Sequence, residues 1–250
     1  MKNELIKYCL RLGDNSLILS HRLSEYSSNG PFLEEDLALT NVSLDHLGQA
    51  EEWLKYVGDL EGKGKSADDL AYKRKEQEYF NCQLVEFPNT DFAYLSARQF
   101  FIDAFNYFLY SELIASKDET IAAIAAKSLK EVTYHLRRSS EWIIRLGDGT
   151  EESKEKIQAA IDDLWMYVGD LFETDDIENT LISEGIAANI NKVKANWNER
   201  VNEILHLATL DRPENEYAVS GGKNGFHSEH MGYILNDMQY LVNAYPDAVW

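Results

Sequence analysis

Residues 118–146, DETIAAIAAKSLKEVTYHLRRSSEWIIRL, decide the fold, because their core-type positions recur at alternating steps of three and four. That spacing places every such side chain on one face of a helix. The face comprises Ile121, Ala125, Ser128, Val132, His135, Ser139, Trp142 and Leu146. An earlier stretch repeats the spacing with Leu39, Val42, His46, Gln49, Trp53, Tyr56 and Leu60. The two patterns predict two long helices, each of which directs polar side chains into a core.

The rest of the chain also predicts helices and no strand. The helices are expected at about 4–27, 32–61, 67–80, 91–116, 118–146, 151–173 and 191–210, with a last one after Ser228. Long helices joined by short connections predict an all-α, antiparallel four-helix bundle. We expect a single domain over residues 1–250, with the core bundle at about 4–146 and helical additions at about 151–250. The charged segment 67–80 is predicted to be peripheral, and the apolar helix 91–116 to be central or covered by another protein chain.

Composition excludes several classes of partner. The chain has 24 basic and 43 acidic residues, a formal net charge of −19, and a phosphate backbone would be repelled by it. Two cysteines, Cys9 and Cys82, suggest no disulfide framework, which fits a reducing compartment. The sequence shows neither a signal peptide nor an apolar run long enough to span a bilayer. We therefore expect a cytoplasmic protein that binds no nucleic acid and no membrane.

The polar positions within the stripes match the places where ferritin-like bundles hold two iron ions. Such bundles use Glu-x-x-His pairs on two helices and one carboxylate from each of two others. Here the pairs read His46-x-x-Gln49 and Val132-x-x-His135. Asp103 is the one acid in the polar stripe of its helix and the best candidate for a buried carboxylate. The predicted bundle centre holds Ser16, His46, Gln49, Asp103, Val132 and His135.

Three interpretations of that centre are open on the residues alone. The first is a polar core network in which Asp103 pairs with His46 or His135. The second is a mononuclear metal site, since two histidines and one carboxylate form the facial triad of some iron oxygenases. That would make the chain a metal-dependent oxidase or oxygenase. A third is a binding protein whose bundle cavity takes a small aromatic ligand. A working di-iron centre is disfavoured, because this centre contains one acid and a di-iron site needs four carboxylates.

The segment Gly221–His230, GGKNGFHSEH, has two interpretations. Flexible glycines, Lys223 and a following helix N-terminus could hold an anion. Alternatively the segment is a loop in which Ser228 caps the next helix, and we favour this second interpretation. A metal cluster of His227, Glu229 and His230 is the weakest hypothesis.

Several strings in the sequence together indicate a family. They are Arg11–Asn15 (RLGDN), Leu44–Ala50 (LDHLGQA), Glu76–Pro88, Tyr134–Arg137 (YHLR) and Gly221–His230. Over essentially the whole chain they resemble the structural C subunits of the bacterial ring-1,2-phenylacetyl-CoA epoxidase, a multicomponent enzyme of aerobic phenylacetate degradation with ferritin-like subunits.

The resemblance implies a site that has lost its metal. On the pattern of the related catalytic A subunit, the glutamate places are taken by His46 and Val132 and the histidine places by Gln49 and His135. Asp103 falls at the acid of the fourth helix, and Ser16 lies close to the glutamate of the first.

The resemblance also implies partners. This chain would have no catalytic residue and no cofactor, and would pair with the catalytic A subunit, which holds the di-iron centre, in a complex with further subunits. Which faces of the first, second and fourth helices form the interface stays open, as does homodimer formation by the chain alone.

Overall fold

The computed structural model describes residues 1–214, 217–246 and 248, and within these ranges the regular structure is helical throughout, with no strand. The predicted all-α class is confirmed, and it is consistent with a ferritin-like bundle. The α-helices of the described part are α1 (Lys2–Ser24), α2 (Leu33–Glu61), α3 (Ala67–Tyr72), α4 (Phe92–Leu113), α5 (Glu119–Gly147), α6 (Glu151–Leu164), α7 (Asp176–Ser183), α8 (Ile190–Leu207) and α9 (Glu229–Ala244). None of them is long and apolar enough to cross a membrane.

The chain divides into two compact units. Unit 1 combines residues 1–88 with 221–250, and unit 2 is residues 89–220. Each unit is built on one pair of long consecutive helices, α1 with α2 and α4 with α5. The expectation of a single domain over 1–250 stays a prediction.

The α1–α2 pair forms the centre of unit 1. The two helices approach closely at Gly13, where an added Cβ would lie 3.2 Å from side-chain atoms of Trp53 and Leu54. Farther along, the Ser43 hydroxyl donates to the Ser20 carbonyl at 2.8 Å, and its oxygen lies 2.7 Å from that of Ser24. Small residues at the contact therefore let the two backbones pack at short range.

A buried ion pair attaches the segment after α3 to α1. Asp14 on α1 is 0% exposed, and it binds Arg74, whose side chain is 9% exposed. The Asp14 carboxylate also accepts from the Phe80 backbone N–H at 2.9 Å. Next to it, Asn15 accepts from the Cys82 backbone N–H at 2.7 Å. Two consecutive side chains of α1 thus hold residues 74–82 in place.

Unit 2 is organised around α4, which packs on α5, α6 and α8. Unit 2 also contains an aromatic cluster. In it, Phe101 and Trp165 both contact Trp197, and their ring centroids lie 5.8 and 6.0 Å from that of Trp197. The Trp197 indole N–H donates to the Phe101 carbonyl at 2.9 Å, so the one polar atom of that ring is satisfied. No large apolar side chain of α4 is exposed, which agrees with the central position predicted for this helix.

Several element boundaries differ from the predictions, and one prediction is wrong. The helix expected at 67–80 ends at Tyr72 and is followed by a 3-10 helix at Glu76–Glu78, because Arg74 turns inward to Asp14. The segment is therefore not peripheral along its whole length. The helix expected at 151–173 continues from Leu164 as a 3-10 helix, Trp165–Phe172, and α7 was not predicted.

The Asp14–Arg74 pair should contribute strongly to the stability of the fold. Asp14→Asn keeps the shape of the side chain but leaves the Arg74 guanidinium buried without a counter-charge, and should lower the free energy of unfolding by about 3–5 kcal/mol. Urea denaturation followed by circular dichroism measures the change. The control is Lys73→Ala, which removes the exposed Lys73–Asp69 pair on the same segment. Equal losses in the two variants would show that the buried pair is not the stabilising contact.

Candidate functional site

The six positions of the predicted bundle centre are all buried, and they are divided between the two units. Unit 1 contains Ser16 on α1 and both His46 and Gln49 on α2. Unit 2 contains Asp103 on α4 and both Val132 and His135 on α5. The helical spacing that predicted them as inward-facing is therefore confirmed for each helix separately.

Within unit 2 the structure places Asp103 in a polar cluster between α4 and α5. The Gln99 amide donates to one carboxyl oxygen of Asp103 at 2.7 Å. His135, Ser139 and Arg138 of α5 are the groups on the other helix that interact with the carboxyl. The Ser139 hydroxyl is held in position by its own bond to the His135 carbonyl at 3.0 Å. The residues of α5 that interact with the Asp103 carboxyl group therefore lie within about one helical turn.

Burial controls the charge of this cluster. It raises the pKa of Asp103, because a carboxylate without water is strongly destabilised. His135, the Ser139 hydroxyl, the hydrogen bond from Gln99 and the charge of Arg138 act in the opposite direction and do not outweigh burial. Burial therefore extends the pH range over which this carboxyl group keeps its proton.

These donors do not fit a di-iron centre of the Glu-x-x-His type. Two bridged cations require several ionised carboxylates, and the six positions supply a single acid. Val132 provides no ligand atom, and the Gln49 amide is a poor substitute for an imidazole.

The sequence did not predict a second buried polar cluster. This cluster lies in unit 1 and joins segments that are far apart along the chain. Glu86 is 0% exposed, and its carboxylate accepts from the Asn81 amide at 2.8 Å and from the Ser228 backbone N–H at 2.7 Å. His227 contacts the same carboxylate through Nδ1 at 2.7 Å. The signal was present in the unusual strings Glu76–Pro88 and Gly221–His230, but their spacing matches no regular period.

The segment Gly221–His230 adopts the loop conformation that the sequence favoured. Ser228 is the N-cap of α9, and its hydroxyl oxygen accepts from the His230 backbone N–H, so that prediction is confirmed. Arg11 donates to the Lys223 carbonyl at 3.3 Å, which fixes the start of the segment to α1. Both ring nitrogens of His227 face oxygen atoms of unit 1, which leaves neither directed at a metal ion.

Comparison with known proteins shows the family of this chain. The family model described as phenylacetic acid catabolic protein matches residues 1–250. The chain belongs to that family. It is also 46% identical, over 248 residues, to the C subunit of the 1,2-phenylacetyl-CoA epoxidase of Escherichia coli strain K12, an alignment that covers 99% of this chain and 100% of that protein. The resemblance seen in the sequence is thereby confirmed.

The raised pKa of Asp103 makes a second prediction. A group that keeps its proton to higher pH in the folded state contributes stability below its unfolded pKa, and this contribution is lost as pH rises through the folded pKa. The free energy of unfolding of the natural protein, relative to Asp103→Asn, should therefore fall above about pH 4, by at most about 1.4 kcal/mol per pH unit. Urea titrations of both proteins between about pH 4 and pH 8 measure the difference. A difference that grows with pH would instead identify an ionised Asp103 stabilised by His135.

Proposed function

We propose that this protein is a non-catalytic structural subunit of a phenylacetyl-CoA epoxidase, and that it binds and stabilises the di-iron catalytic A subunit of that enzyme. Family membership and the 46% identity to a protein named as the C subunit of such an epoxidase support the assignment to the complex. The buried thiols of Cys9 and Cys82 support a place in the cytoplasm. The pairing rests on a surface feature of α2.

Four leucines of α2 are exposed on one side of the helix: Leu33, Leu37, Leu44 and Leu47. At about 100° per residue they lie within an arc of about 80° and extend for about 21 Å along the axis. We call this set the leucine stripe. An exposed apolar surface of this regularity is unfavourable in water and is typical of a helix that another protein covers. It is the observation on which the pairing depends.

The surroundings of the leucine stripe indicate the chemistry of the partner. Gly48 lies beside Leu44 and Leu47, and an added Cβ there would meet no atom within 4 Å, so a partner helix can approach the α2 backbone closely. Exposed acids border the stripe, and they are Glu34, Glu51 and Glu52. A partner with an apolar helix face surrounded by basic residues would complement this surface. The net charge of −19 on the chain favours a basic partner for the same reason.

The absence of catalysis in this chain is part of the proposal. The positions that would hold two iron ions contain one acid, and burial favours the protonated form of that acid. The di-iron chemistry is accordingly assigned to the catalytic A subunit. The competing enzyme hypothesis, a metal-dependent oxygenase using His46, Asp103 and His135, requires this chain to bind metal by itself.

Charge in the leucine stripe should disrupt the pairing. Leu37→Glu and Leu44→Glu should each weaken binding to a catalytic subunit bearing Glu-x-x-His pairs by at least about tenfold, because the buried carboxylate would find no partner. Co-expression with the tagged catalytic subunit, followed by size-exclusion chromatography and a titration of affinity, measures the effect.

Leu207→Glu on α8 is the matched control, since Leu37 and Leu207 are both 53% exposed and undergo the same chemical change. Equal binding by all three variants would refute the leucine stripe as the interface, while no complex with the natural protein would refute the pairing itself. Stoichiometric iron or manganese in the isolated chain would favour the enzyme hypothesis instead.

A further inference from the structure

The C-terminal helix α9 is held in unit 1 by contacts that concentrate at its N-terminal end. Arg22 of α1 donates to the His230 carbonyl at 3.3 Å, and Gln83 donates to the Phe226 carbonyl at 3.3 Å. Farther along the helix, Gln239 donates to the Arg74 carbonyl at 2.7 Å. The inner side of α9 buries Met231, Ile234 and Leu235, whereas Tyr233 and Tyr240 are exposed on its outward side, so apolar and polar contacts together hold the helix.

His227 lies at the centre of this attachment. Its side chain is 2% exposed, its Nδ1 is 2.7 Å from a Glu86 carboxylate oxygen, and its Nε2 is 3.1 Å from the Tyr79 carbonyl oxygen. A carboxylate and a carbonyl can only accept hydrogen bonds. Both ring nitrogens must therefore carry protons for both contacts to form, and only the imidazolium ion has two.

The other charged groups around His227 act in both directions. Glu76 on the neighbouring 3-10 helix favours the imidazolium, whereas Arg22, which donates to the Glu86 carbonyl at 2.7 Å, adds positive charge nearby. Burial acts to lower the pKa of His227, but its hydrogen bond to Glu86 and the Glu86 charge outweigh that effect and raise it above the usual value. Tyr79, with a pKa of about 12, stays neutral over the range in which His227 titrates.

We propose that the His227 imidazolium is a latch that seats α9 on unit 1, and that loss of its second proton at alkaline pH weakens this seating. Neutral His227 has one N–H, so it leaves either Glu86 or the Tyr79 carbonyl without that donor in a buried site. The Ser228 hydroxyl and backbone N–H still bind Glu86, so α9 stays attached at its N-cap. The helix therefore opens more often at alkaline pH without leaving unit 1.

Hydrogen exchange of the purified full-length chain tests the latch. After correction for intrinsic exchange rates, the protection of α9 amides should be constant below the ordinary histidine pKa of about 6.5, fall by up to about tenfold per pH unit above it, and level off above the raised pKa of seated His227. Amides of α8 in unit 2 should show no such fall. A pH-independent protection of α9 between about pH 5.5 and pH 9.5 would overturn the proposal.

Variants separate His227 from other titrating groups. His227→Gln should abolish the pH dependence of α9, and Glu86→Gln should reduce the total fall in protection because the carboxylate that raises the pKa of His227 is gone. His206→Gln, at an exposed histidine of α8, should behave like the natural protein. An unchanged pH dependence in His227→Gln, or an undiminished fall in Glu86→Gln, would contradict the latch.

A spectroscopic measurement on the natural protein does not depend on the variants folding. With ¹⁵N-labelled histidine, the two ring nitrogens of His227 should both show imidazolium chemical shifts at a pH just above the ordinary histidine pKa of about 6.5. Their assignment follows from single substitutions of the other five histidines among the six of the chain. A split pair of shifts, as in a neutral tautomer, would overturn the proposal.

Discussion

A buried carboxylate must find a donor for each of its oxygens, and two such carboxylates determine how unit 1 is assembled. Asp14 binds Arg74 and the backbone after it, and Glu86 binds Asn81, His227 and Ser228. The contacts of Asp14 connect α1 with residues 74–80. The contacts of Glu86 connect that part of the chain with His227, which lies 141 positions farther on. The hydrogen-bond donors that these two carboxylates need therefore hold the three segments together.

The polar positions that match a metal-binding pattern contain few carboxylates in this chain. On α4 and α5, Asp103 accepts from Gln99 and lies near Ser139, and burial raises the pKa of its carboxyl group. Valine at position 132 lacks the charge that a second cation would need. The leucine stripe of α2 then becomes the more informative surface, since it is the large apolar area that this core does not explain.

Much of the fold could be predicted from periodicity. The stripes of α2 and α5 repeat every three to four residues over about six to seven turns, and the predicted ends of the two helices differ from the observed ends by at most a single residue. The burial of the six predicted centre positions followed from the same spacing. The clusters of Asp14 and Glu86 could not be predicted in this way. Asp14 lies with charged residues on its helix face, and Glu86 lies in a stretch of 3-10 helix and loop, where no regular period reports which side chains point inward.

Sequence alone determined the helical class, the inward face of each long helix, the small number of carboxylates at the six predicted centre positions and the family. Those properties depend on residue type and on spacing along the chain, which local backbone geometry converts into one helix face. Tertiary structure alone decided that Arg74 turns inward and ends α3, and that Glu86 meets His227 across 141 positions. It also decided that four leucines of α2 remain exposed. Each of these depends on which distant segment arrives next to a side chain, and the pattern of any single helix does not contain that information.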